Sequence, residues 1–277
     1  MERHEMSETL FFQAALVFYV LSAGAYLVFQ LNRRPSFSSA GWTAGLAGLA
    51  LHTAALVLRT LASGHAPFTN MYESLSFLAW SCLLAYLVMD RLFRLPRAGF
   101  FLLLIVLAFM LLANSPLMPK DIKPLMPALQ SHWLWLHVSI TLLGEAFFAV
   151  AFVTSIMYLF ASSRRSKAPA EKAAAAAEKL DRVSYRSIAA GFPLFTLGGL
   201  VLGMVWAHKA WGAYWSWDPK EVWSLITWFV YALYLHTRLV MGWKGRRSAF
   251  IAILGFLAAL FTYFGVNYLL SGLHSYA

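Results

Sequence analysis

Charge and cysteine are scarce in this chain. Of its 277 residues, 12% are charged and a single one is cysteine, Cys82. One thiol cannot close an internal disulfide, so no covalent framework holds the fold, and any dithiol chemistry must come from another molecule. Cys82 falls inside an apolar run and reads as a small buried residue. No long soluble domain and no clear internal repeat is evident. What fills the chain is apolar: 60% of it is hydrophobic, more than a soluble protein of this length could hide. Runs of about 20 apolar residues are each long enough to cross a bilayer. Eight are expected, at roughly 9–31, 40–62, 72–90, 98–115, 133–161, 188–208, 222–241 and 248–270. The fold implied is all-α: a polytopic integral membrane helical bundle, with 1–277 forming a single membrane domain. The first run is not read as a cleaved signal, because Glu2, Glu5 and Glu8 stand where a basic leader belongs.

The net charge of +10 raises the question of nucleic acid. Its distribution answers otherwise. Arg33 and Arg34, then Arg91, Arg94 and Arg97, then the stretch Arg164 to Arg186, then Lys244, Arg246 and Arg247 occupy alternate loops and hold 15 of the 22 basic residues. The intervening side holds six: Arg3, Arg59, Lys120, Lys123, Lys209 and Lys220. Basic loops stay in the cytoplasm. Both termini are therefore expected on the extracytoplasmic side, and no nucleic-acid role is implied. The longest inner connection, 162–187, carries E-K-A-A-A-A-A-E-K-L. It reads as a cytoplasmic linker whose helix formers extend or follow the fifth span. Short inner loops and an Ala/Arg-rich composition favour a bacterial cytoplasmic membrane over a thylakoid.

Six of the eleven tryptophans fall in the 23 residues from Trp206 to Trp228. They straddle the turn Asp218-Pro219, in an external segment, 206–223. Tryptophan belts at membrane interfaces are ordinary and account for Trp42, Trp133, Trp135 and Trp243. They account poorly for Trp211, Trp215 and Trp217, which crowd one short segment with Gly212 and Tyr214. Indole is bulky and its N–H wants a partner. Such density suits a platform for something large, flat and apolar, and a porphyrin fits. Trp211 and Trp215 would share a face if helical, Trp215 and Trp217 if extended. Asp218-Pro219-Lys220-Glu221 has the spacing of a capping box with proline at the first helical position, and Asn70-Met71-Tyr72-Glu73 repeats the spacing. Capping alone is a sufficient reason for Asp218.

Imidazole is the usual protein ligand of haem iron. His137 lies about a turn inside the fifth span, on a face shared with Trp133. His274 lies just past the last span. Both reach the depth of the tryptophan segment, and two such residues suit a six-coordinate iron. His132 and His208 lie near the same layer. His132 and His137 are about 140° apart on a helix, so both cannot face one iron, and spacing does not choose between them. His236 lies roughly 22 Å along its helix from Glu221, and His52 lies mid-span. Ionisable residues at such depth are functional candidates. The alternative for each is a neutral histidine hydrogen-bonded between helices. His4 and His65 read as solvated loop residues. Lys209, Lys220 and Arg59 are cations available to propionates.

These residues resemble a family. W-G-A-Y-W-S-W-D-P-K-E (211–221) is similar to the tryptophan-rich WWD signature of the haem-handling proteins, a family that includes CcsA (ResC), CcmC and CcmF. The likeness to the CcsA group runs through P-F-T-N-M-Y-E-S-L (67–75), W-L-W-L-H-V (133–138), S-Y-R-S-I-A-A-G-F-P (184–193), Y-L-H-T-R (234–238) and G-V-N-Y-L-L-S-G-L-H-S-Y-A (265–277). It implies system II cytochrome c maturation with a CcsB (ResB) partner. Haem b would reach the outer face and be joined to the thiols of a Cys-x-x-Cys-His apocytochrome, with the chain a subunit of a holocytochrome c synthase (haem lyase) fed by a thiol reductant system. It implies His137 and His274 as the external iron ligands and His236 as an intramembrane ligand whose partner histidine comes from the CcsB part. His52 is a possible substitute for that partner. The haem-contacting set becomes Trp206, Trp211, Trp215, Trp217, Trp223 and Asp218, and the catalytic set His137, His274 and Asp218. His208 departs from the family, which often has Asn there. Two other readings stay open: a CcmC-like protein that passes haem to a chaperone, and a transporter or scaffold whose tryptophan belt is purely interfacial.

Overall fold

The computed structural model describes residues 2–122, 125–163, 170–270 and 272. Among them the regular structure is helical. Seven helices are long and apolar enough to cross a membrane, and the chain is a multi-pass membrane protein. Large apolar side chains stand exposed on helix exteriors, among them Val17, Leu21, Leu254 and Phe250. That is stable only where the surroundings are themselves apolar. The chain divides into two compact units, Met1–Met126 and Pro127–Ala277.

The first unit holds α1 (Glu2–Asn32), α2 (Pro35–Ser63), α3 (Met71–Phe93) and α4 (Pro96–Ala113). Helices α2 and α4 each begin with proline, whose missing N–H costs nothing in a first turn. Asn70 caps α3 by accepting from the Glu73 N–H at 2.9 Å, as its spacing implied. The Glu73 carboxylate goes elsewhere. It accepts from Thr69 N at 2.9 Å and from Arg59 Nε at 2.8 Å. Arg59 also donates to the Lys120 carbonyl at 2.7 Å. Glu8 accepts from the Tyr72 hydroxyl and lies 3.9 Å from Arg59 Nη1. Arg59 is therefore committed to a buried ion cluster and does not face outward as a cation for propionates. His52 is fully buried, with Nδ1 3.1 Å from the Tyr19 hydroxyl and Nε2 2.8 Å from Ser76 Oγ. Both ring nitrogens are occupied between helices, which is a structural histidine and not a substitute haem ligand. His65 is buried, with Nδ1 3.0 Å from the Ala66 carbonyl, and not solvated. Cys82 is buried in α3, as read.

The second unit holds α5 (His132–Ala161), α6 (Ala170–Phe195), α7 (Gly203–Trp211), α8 (Pro219–Leu239), α9 (Arg246–Leu260) and the short α10 (Val266–Leu269). The alanine-rich tract follows the fifth span as the amino half of α6. Helix α5 packs against α6 and α9, and α8 against α9. Two π-helical turns interrupt the unit, Thr196–Leu202 and Phe261–Gly265. The expected span at 222–241 is present as α8 but is too polar to count among the seven. The reason is its inward stripe. Lys220, Ser224, Thr227, Tyr231, Tyr234 and Arg238 recur at three- and four-residue spacing, and Thr227, Tyr231 and Tyr234 are buried. Ile226, Phe229 and Leu233 are exposed on the opposite side. At its far end Arg238 meets Asp181 of α6 through two hydrogen bonds, 2.9 and 2.7 Å.

Candidate functional site

The site grows from an irregularity. Pro193 lies inside α6, where it removes a backbone donor and loosens the following turn. The helix continues as the π turn Thr196–Leu202. In that turn Gly198 touches α5: a Cβ there would strike Thr141 N and lie 2.8 Å from the Ile140 carbonyl carbon. The contact brings the Gly198 carbonyl beneath His137. It accepts the Gly203 N–H across five residues and stands 2.8 Å from His137 Nδ1. A carbonyl can only accept, so Nδ1 carries the proton. In the neutral ring Nε2 then carries the lone pair that a metal needs.

Trp206 holds the other side of this imidazole. The two rings are nearly parallel, 7° apart in plane and 5.7 Å between centroids. Trp206 is 1% exposed, and Trp211 meets its edge at 5.0 Å. Gly203 lies so close that a Cβ would be 3.1 Å from His137 Cε1. His137 is thus fixed by packing, by one hydrogen bond and by tautomer. Those are the constraints that orient imidazole ligands in metal proteins. His132 is different: it is exposed, its ring meeting Trp135 edge-on. Of the two, His137 is the one held by a carbonyl and a parallel indole.

Helix α7 ends where Gly212 takes a left-handed conformation, φ 80°. His208 is exposed and stacks on Tyr214 at 4.2 Å. Trp217 is left-handed as well, φ 60°, a region that costs a bulky residue on the order of 1–3 kcal/mol. It is 72% exposed. Its ring is perpendicular to that of Trp215, 5.8 Å away, so the two do not form one flat shelf. Trp223 leans on Phe261 of the second π turn at 4.2 Å.

Asp218 is 5% exposed. Its Oδ1 accepts the Lys220 N–H at 3.0 Å, and Glu221 Oε2 accepts the Asp218 N–H at 3.2 Å and the Ser216 N–H at 2.8 Å. This is the capping box that the spacing implied. Its second oxygen faces Gly272. The Lys220 ammonium donates to Asn267 Oδ1 at 3.0 Å, and Lys209 is exposed. His236 stands exposed in the last turn of α8, on the apolar side of that helix. His274 lies outside the described residues. The sequence reading passed over Glu145, buried near the middle of α5. An acidic residue within an expected span was the signal for it.

An iron porphyrin suits this donor: an imidazole with its lone pair directed by a carbonyl, backed by Trp206 and Trp211. Residues 68–274 match the cytochrome C assembly protein family. The chain is 36% identical to the cytochrome c biogenesis protein CcsA of Gloeobacter violaceus, over 93% of this chain and 92% of that one. It is 44% identical to CcsA of Prochlorococcus marinus, over 83% and 81%. Against CcsA of Chlamydomonas reinhardtii it is 44% identical over 80% of its own length and 64% of the relative's. Among solved structures the cytochrome c haem lyase CcmF has the same fold. The TM-score is 0.67 at 19% identity, over 94% of this chain and 46% of CcmF. With the family matched over most of its length and a CcsA relative aligned over more than nine-tenths of both chains, this chain belongs to the cytochrome c assembly protein family, in its CcsA group.

Proposed function

We propose that this protein is the haem-handling subunit of a cytochrome c synthase. It holds haem b as substrate at the extracytoplasmic membrane face, between His137 and His274. With a CcsB/ResB-like partner, it positions the haem for attachment to a Cys-x-x-Cys-His apocytochrome. The observation that carries this reading is the hydrogen bond between His137 Nδ1 and the Gly198 carbonyl, 2.8 Å long. It commits the ring to the tautomer a metal ligand requires, at the edge of the tryptophan segment.

Each element has a task. The substrate supplies vinyl groups, and thiol S–H adds across each double bond, with sulfur bonding one carbon and hydrogen the other. The addition is redox-neutral and consumes no oxidant or reductant, and orientation supplies the rate. Two imidazoles fill the iron's axial positions and discourage reaction with oxygen; one later yields to the apocytochrome histidine. Trp211, Trp215, Trp217 and Trp223 offer apolar faces to the macrocycle, and Trp206 supports His137 from behind. Lys209 is the exposed cation for propionates. His236 is a ligand for haem in transit, completed by a histidine of the partner. Its exposed place on an apolar helix face supports that reading. Alternate basic loops support extracytoplasmic termini and a cytoplasmic 162–187 segment. The thiols of the apocytochrome must be kept reduced by a separate system.

Purification with the partner tests the reading. The complex should be red, with the absorption of bis-imidazole haem, and His137→Ala and His274→Ala should each lose it at normal protein levels. A colourless, stable complex in all three forms would instead support a scaffold or transporter.

A further inference from the structure

Glu145 is a buried carboxyl group that the reading above does not use. It is the only acidic residue of the 30-residue helix α5 and is 7% exposed. At about 1.5 Å per residue it lies ~20 Å along the helix from His132 and ~12 Å from His137. Phe148, three residues on, stacks on Tyr231 of α8 with centroids 3.7 Å apart. Residues three apart share a helix face, so Glu145 is turned toward α8. There it is close enough for its charge to act on Tyr231 and to interact with the Lys220 ammonium. None of the ion pairs among the described residues includes it. The Tyr231 hydroxyl has no hydrogen-bond partner among the described residues. Tyr234 follows on the same stripe, and Asp218 caps the helix at Lys220. Gly144 meets Gly191 of α6, whose titratable residues end at Arg186, and those of α9 are Arg246 and Arg247 at its start.

The polar stripe of α8 has one closed end and one functional end. Arg238 and Asp181 close the first with two hydrogen bonds, their side chains 9% and 11% exposed. At the second, Lys220 and Asn267 stand below the tryptophan segment. Carboxyl groups buried in membrane helices mark ion and proton pathways. In a medium of low dielectric, a charge added about 12 Å away is felt.

We propose that Glu145 is a proton site coupled to the haem-binding cleft. When ferric haem at His137 accepts one electron from a one-electron donor, the ionised Glu145 carboxylate binds one proton. The proton comes from water at the Lys220 end. Iron becomes ferrous, Glu145 becomes neutral, and the charge inside the unit is unchanged. Oxidation reverses both events. This rests on the reading that His137 ligates haem.

The test is a dithionite titration of the haem-loaded complex across neutral pH, with reduction-minus-oxidation infrared spectra. The midpoint potential should fall with rising pH, toward the limit of about 59 mV per tenfold change in proton activity for one proton per electron. Glu145→Gln should flatten that slope and remove a protonated-carboxyl band that appears on reduction, whereas Glu145→Asp should keep both. An unchanged slope in Glu145→Gln overturns the proposal. If that variant does not accumulate, the infrared spectrum of the unsubstituted complex decides: no carboxyl band on reduction overturns it. A complex that binds no haem defeats the haem-handling reading itself, whereas a red complex with a flat potential defeats only the proton site.

Discussion

Asp218 and Gly272 pack so closely that a methyl group on Gly272 would strike Asp218 Oδ2 and lie 3.0 Å from Pro219 Cδ. Asp218 therefore has two tasks. One oxygen caps α8, and the other borders the segment that carries His274 two residues later in sequence. The two tasks separate by substitution. Asp218→Asn keeps a good cap, while Asp218→Ala should cost about 1 kcal/mol of stability. Gly272→Ala leaves the cap alone and pushes the C-terminal segment away. It should shift the haem spectrum from six-coordinate low spin toward a five-coordinate form, with thermal stability within about 0.5 kcal/mol. An unaltered spectrum in Gly272→Ala would mean that this contact does not position the second ligand.

Trp206 should matter without touching the iron. It is 1% exposed and lies parallel to His137. Trp206→Ala leaves a cavity worth about 3–5 kcal/mol, and it frees the imidazole to rotate. Trp206→Phe keeps a flat ring there. Loss of such supporting groups typically costs 10–100-fold in metal affinity. Haem titration of the two variants should show that loss for Trp206→Ala and a smaller one for Trp206→Phe. Equal affinities would make Trp206 a packing residue only.

Much of this was legible in the sequence because membrane helices and helix caps are local. Apolar run length gave the spans, and acceptor-to-glutamate spacing gave the Asp218 box and the Asn70 cap. Relations between helices were less legible. His132 and His137 have the same local chemistry, and what separates them is the π turn Thr196–Leu202, which follows α6 and carries Gly198. Arg59 looked like an interfacial cation because Glu8 and Glu73, distant in sequence, become its neighbours only on folding. Helix α8 was legible as a span at 222–241, but not that its polar side is the buried one, because burial depends on α5, α6 and α9 packing around it.

The ion cluster of the first unit predicts an asymmetry. Arg59 and Glu73 side chains are 5% and 1% exposed, with Nε and Oε1 2.8 Å apart. Removing one partner leaves a buried charge, at a cost of about 3–5 kcal/mol, whereas replacing both with apolar residues of similar size is often near neutral. Thermal unfolding in detergent should show Arg59→Met and Glu73→Leu each strongly destabilised, and the double variant recovering much of the loss. A double variant as unstable as the sum of the singles would show that Arg59 and Glu73 act independently, each held by its other partners, Glu8, Thr69 and the Lys120 carbonyl.

The role proposed for His236 is the opposite case, function without stability. Its imidazole is exposed in the last turn of α8, in line with Ile226, Phe229, Leu233 and Val240 at three- and four-residue spacing. An exposed side chain away from packing contributes within about ±0.5 kcal/mol, so His236→Ala should unfold at the same temperature as the parent protein. If His236 ligates haem in transit, the purified complex of His236→Ala with its partner should keep the haem bound at His137 but lose a second, distinct haem population. Added imidazole should restore it, because a small ligand fits the space that the side chain leaves. Unchanged haem stoichiometry in His236→Ala, with or without imidazole, would assign this residue to the lipid-facing surface instead.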